Sequence, residues 1–154
     1  MNPSKLEKEL RTQIKVELNH LSERLTKELQ EILGVKAPES CSSLRFEFDS
    51  PEFSDRFPVV YYWLKGDGQA SKVQTLLKST KSTIPEAVLE DPKYDQEGLD
   101  TWDIASTEFV SWFAKCWRKA GGRHSTLPAF IAHHDSIYAF DLLNGREVCE
   151  TDES

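Results

Sequence analysis

Long apolar runs are missing from this chain of 154 residues. No stretch approaches the roughly 20 consecutive apolar positions that a membrane-crossing helix needs. The opening residues, MNPSKLEKEL, carry charge where a secretory leader would place an apolar core. Cysteine is scarce too: Cys41, Cys116 and Cys149 are an odd number, widely spaced, with no C-x-x-C. That usage argues against a disulfide framework and for a reducing compartment, so a cytoplasmic location is expected. Positive charge is short, with 19 Lys and Arg against 26 Asp and Glu, a net charge of −7. A nucleic-acid binder draws most of its affinity from neutralising phosphate, so neither nucleic acid nor an anionic membrane is the expected partner. There is no G-x-S-x-G, no G-x-x-x-x-G-K, no internal repeat and no low-complexity segment. No cofactor is expected.

What is present is the material of one folded domain. Apolar residues make up 38% and charged residues 29%, which is too apolar for a disordered chain. Eight Phe, four Tyr and four Trp supply bulky rings for a core.

The clearest segment is the first. Ser4 and Glu7 form an S-x-x-E capping box, and Gly34 stands where a C-terminal cap belongs. Between them Leu6, Leu10, Ile14, Leu18, Leu21, Leu25, Leu29, Ile32 and Leu33 recur at steps of three and four, one stripe along a helix. Such a helix is on the order of 40 Å long. The reading is a long amphipathic helix over 1–34, a linker over 35–43, a single α+β domain over 44–150 and a frayed tail over 151–154. A helix this long is expected to offer Leu10, Ile14, Leu18, Leu21, Leu25 and Leu29 to a partner helix or to a second copy in a homodimer. The competing reading packs the stripe on its own domain.

Further on, Leu44, Phe46 and Phe48 alternate with Arg45 and Glu47, and FPVVYYWLK at 57–65 is aromatic and β-branched on both faces. This predicts an antiparallel hairpin whose second strand is central. Gly66-Asp67-Gly68 lacks the third glycine of a dinucleotide loop, and Asp67 would repel a pyrophosphate, so a tight turn is expected. A short helix is predicted over 70–80, with Val73, Leu76 and Leu77 inward. Another starts at the Thr83–Glu86 capping box and ends at Pro92. From about Ser106, Phe109, Trp112, Phe113, Cys116, Trp117 and Ala120 occupy one helical face, stopped by Gly121-Gly122. The rest is a three-stranded meander, LPAFIAHH, SIYAFDL and REVCE, with Asn144-Gly145 as its second turn. The expected sheet is mostly antiparallel and packed by helices.

Candidate chemistry is thin. His133, His134 and Asp141 could form a general base or part of a metal site in a small hydrolase or metal-dependent enzyme, although adjacent strand residues face opposite ways. A metal would need a third ligand, and His124 is the only other histidine beyond the first helix. Asp49, Glu52 and Asp55 sit on one loop and read as solvated charge. Cys116 falls within the aromatic stripe as a small buried hydrophobe, and Cys149 lies between acids that disfavour a thiolate. Trp112 or Trp102 could anchor an interface. Lys115, Arg118, Lys119 and Arg123 complement a helix dipole. Residues 86–108 hold eight acids against one Lys.

The stretch PAFIAHHDSIYAFDLLNGREV, residues 128–148, resembles the sheet hairpins of bacterial toxin-immunity modules in its strand ending Phe-Asp-Leu before a turn. That resemblance implies a binding role. The sequence therefore favours a non-enzymatic protein-interaction module, with the hydrolase as the alternative.

Overall fold

Ser4 caps the first helix as the sequence predicts: its hydroxyl accepts from the Glu7 N–H at 3.1 Å. The computed structural model describes residues 4–48, 59–77, 84–133, 136 and 138–149. Its elements are α1 (Lys5–Asn19), α2 (Ser22–Leu33), β1 (Cys41–Phe48), β2 (Val60–Lys65), β3 (Ala70–Thr75), α3 (Glu86–Leu89), α4 (Pro92–Gln96), α5 (Thr101–Lys119), β4 (Ala129–His133), β5 (Tyr138–Asp141) and β6 (Arg146–Cys149). The class is α+β.

Among the described residues the strands form a six-stranded sheet in the order β3-β2-β1-β4-β5-β6. Four of the five pairings are antiparallel, and the β1–β4 pairing at the centre is parallel. This joins the early hairpin to the C-terminal meander, a connection the sequence did not reveal. It also makes β1 and β4 the middle pair; β2 is interior, between β1 and β3, but only Trp63 of it is buried, so the coverage expected on both its faces is not met.

Four further expectations are corrected. The first helix is two helices, broken at His20–Leu21. A side chain advances about 100° per residue, so steps of four drift about 40° each around the helix. A break in the helix offsets that drift, and both α1 and α2 pack against α5. The segment 70–75 is a strand instead of a helix. Gly66-Asp67-Gly68 closes a hairpin, with Lys65 N bonded to Gln69 O at 2.8 Å and Asp67 Oδ1 accepting from Gln69 N. Val73 is exposed on β3, while Leu76 and Leu77 are buried beyond it. Pro92 starts a helix instead of ending one, because Asp91 caps it through the Lys93 N–H. In the same way α5 begins at Thr101, five residues before the expected start, with Asp100 as its cap.

The core lies between the sheet and α5. Phe46 packs on Phe113 with centroids 4.8 Å apart, and Phe48 on Phe109 at 4.7 Å. Helices α1 and α2 seal one flank of α5. Trp117 is fully buried, and the chain turns tightly over it: a Cβ on Gly122 would meet the indole within 2.4 Å. Gly121, at φ 98°, supplies the left-handed stop that Gly121-Gly122 predicted.

Candidate binding cleft

The residues expected to meet a partner are core residues. Leu10, Ile14, Leu18, Leu25 and Leu29 have no exposed surface, and Leu21 is partly buried at the break. This corrects the partner-facing reading of the stripe: α5 already supplies the helix that it was expected to seek. The seam also carries polar bonds. Trp112 Nε1 donates to Ser22 Oγ at 2.8 Å. Arg11 donates to Glu108 at 3.0 Å and to Glu7 at 3.1 Å. Lys93 reaches Glu9 at 3.1 Å. Burial of Arg11 works against its charge, yet the hydrogen bonds from Glu108 and Glu7 outweigh it and raise its pKa. Trp112 is thereby a core residue and no interface anchor.

Among the described residues the chemical candidates do not converge. Asp141 pairs with Phe130 across β5 and β4 and shares its face. His133, three residues along β4, points to the opposite face. It pairs with Phe48 and stacks edge-on against that ring at 5.5 Å. Asp141 is instead occupied by its own turn: Oδ1 accepts from Leu143 N at 3.0 Å and Asn144 N at 3.1 Å, and Oδ2 accepts from Asn144 Nδ2 at 2.7 Å. His134 and Asp135 lie outside the described residues, as do Asp49, Glu52, Asp55 and Thr83. His124 is exposed on a 3-10 turn at Gly122–His124. Among the described residues no group of three His, Cys, Asp or Glu side chains could hold a metal ion. Burial pushes the Cys116 thiol up, although its Sγ donates to Ser22 O at 3.9 Å. That suits a packed side chain better than a nucleophile.

What the structure does assemble is a cleft of about 960 Å³ along the other flank of α5. One wall is the α5 face bearing Trp102, Ser106, Val110, Ala114 and Arg118, each four residues from the last. The floor is the same side of β4 to β6: Ile131, His133, Tyr138, Phe140, Leu142 and Glu147. Of the predicted site residues, His133 is here, and so is Trp102; Asp141 is not. The four-step ladder was hidden because starting the helix at Ser106 left Trp102 and Asp103 outside it. Tyr138 and Phe140 lay in plain view, but only the parallel β1–β4 pairing puts them beside α5.

The two ends of the cleft differ in charge, with the exposed Glu147 on the floor between them, opposite Phe140. The α5 helix runs antiparallel to β1 and β4, as the pairs Phe48–Phe109 and Phe46–Phe113 show. Exposed Asp100 and Asp103 therefore lie towards His133 and Ser136, while exposed Arg118 lies towards Leu142 and Arg146. No family model, curated protein or solved structure matches this chain. No helix among the described residues is long and apolar enough to cross a membrane.

Proposed function

We propose that this protein is a non-enzymatic protein-binding module whose partner surface is the cleft along α5. The observation that carries the reading is the unfinished flank of α5. Trp102, Val110, Tyr138, Phe140 and Leu142 line a groove of ligand-sized volume. Aromatic side chains with a polar margin of Ser106, Thr107, Ser111 and Ser136 match the composition of a recognition surface. The net charge of −7 favours a partner of opposite sign.

The test is a quantitative capture from lysate of the source cells. The bait is the full chain, beside Val110→Glu and Tyr138→Glu variants whose melting temperatures match the parent. A stoichiometric protein retained by the parent and lost from both variants is the expected result. Retention of the same protein by both variants would move the partner surface elsewhere.

A further inference from the structure

We infer that the occupant of the cleft is a single amphipathic helix of a partner protein, apolar along one face and bearing Lys or Arg at one end. The inference rests on the binding-module reading above and specifies its partner.

The helix follows first from backbone bookkeeping. The wall of the groove is an α-helix bonded within itself, and its floor is a face of the sheet, whose main-chain bonds lie in the plane of the sheet; the open ladder of β6, last in the strand order, lies at the margin of the floor. An extended segment lying across that face would meet no open ladder. A helix satisfies its own N–H and C=O groups and needs only side-chain contacts.

Dimensions agree. From Trp102 to Arg118 the wall runs about 24 Å, the length of a helix of about 16 residues. Six strands at about 4.8 Å spacing make a sheet roughly 24 Å across, whereas helices pack about 10 Å apart. The α5 helix stands over β1 and β4, and α2 reaches the β3 side through Glu28, which accepts from Leu77 N at 2.8 Å. The remaining width, over β5 and β6, is that of one helix.

Charge then selects the partner. Glu90, Asp95, Glu97, Asp100 and Asp103 are all exposed along the segment that leads into α5. The one lysine there, Lys93, is bonded to Glu9 and lies 3.8 Å from Asp91. Asp100 and Asp103 also favour the α5 dipole. That role does not extend to Glu90, Asp95 or Glu97, which lie before the helix. A partner helix with cations at the acidic end, and without them beside Arg118, matches both ends of the groove.

The probe is a displayed library of random peptides about 16 residues long, selected against the full chain and then titrated as synthetic peptides. The expected binders show apolar residues at i, i+3, i+4 and i+7 with Lys or Arg clustered at one end, and they gain helicity on binding. Asp100→Asn with Asp103→Asn should weaken them about threefold to tenfold at low salt, and less as salt rises. Val110→Glu should weaken them about 30-fold or more, and Tyr138→Glu on the exposed rim serves if Val110→Glu does not fold. Groove-dependent binders that are acidic, or extended and proline-rich, would overturn this inference and leave the binding-module reading standing. A concentration-dependent dimer of the chain itself, abolished by Val110→Glu, would overturn it in favour of a second copy. Binders indifferent to both groove variants, or none at all, would overturn both.

Discussion

The flank of α5 that faces α1 and α2 and the flank that faces β5 and β6 belong to one helix but meet different surroundings. On the first, Trp112 and Cys116 are buried, Trp112 Nε1 donates to Ser22 and Glu108 accepts from Arg11. On the second, Trp102, Ser106 and Val110 are only partly covered and border an open groove. Packing fixes residue identity on the first flank, so substitutions there should be felt in stability. On the second they should be felt in binding. The difference shows where to look for a binding surface in this fold: beside the helix face that its own chain has not finished covering.

The largest effect should come from the sealed flank. Replacing Ile14 or Leu25 with Ala is expected to cost about 2–5 kcal/mol, read from urea denaturation midpoints. Val110→Thr on the open flank should change stability by less than about 0.5 kcal/mol. If Ile14→Ala left stability intact, the stripe would be a docking surface after all, and the contrast between the flanks would collapse.

That contrast explains how much could be read in advance. The apolar stripe from Leu6 to Leu33 was legible because helical periodicity is local, and so was the aromatic face from Phe109 to Trp117. Where the stripe would be used was not legible. Periodicity marks a face for burial without naming the surface that buries it, so α5 and a foreign helix predict the same pattern. Strand β3 was missed because Ser71 to Thr75 forms the edge of a sheet, where neither face gives a clean alternation. The pairing of β1 with β4 joins residues more than eighty positions apart, and nothing in either strand encodes its neighbour. His133 and Asp141 looked like a pair on the assumption of a plain hairpin. The register of Phe130 with Asp141 puts His133 on the other face.

A smaller effect should appear at the end of the sealed flank. Gly122→Ala would drive a methyl group into the Trp117 indole, with the nearest ring atoms 2.1–2.4 Å away. Since Trp117 is fully enclosed, the expected cost is about 1–3 kcal/mol, seen as a lower melting temperature with an altered near-ultraviolet circular dichroism signal. An unchanged signal would mean that this turn does not clamp the ring.

Smaller again is the single bond across the seam. Ser22→Ala removes the acceptor for Trp112 Nε1, and Trp112 is only 7% exposed. About 1 kcal/mol is expected, less than the loss of a core side chain, because some water can reach the indole. A double-mutant cycle with Trp112→Phe isolates the bond: a coupling energy near zero would show that packing alone holds α2 against α5.

The smallest effect concerns the sheet face away from α5, which is covered to an intermediate degree. There Tyr62 donates to Glu47 at 2.8 Å, and burial, followed by that hydrogen bond, pushes its pKa up to about 12. An unfolded tyrosine titrates near pH 10. Below that value both states keep the proton, and the contribution of Tyr62 to stability is fully present. As pH rises from about 10 towards about 12, the unfolded chain ionises first and the folded state loses ground. Because much of the ring remains in water, the loss should be modest. Burial also raises the pKa values of Tyr61 and Tyr94, so the wild-type decline has several sources. Urea midpoints across this window, compared with those of Tyr62→Phe, isolate one of them. The variant should be less stable at neutral pH and should lose stability less steeply through the alkaline window. Parallel curves for the two proteins would mean that Tyr62 ionises alike folded and unfolded, which would make this face as open to water as the cleft.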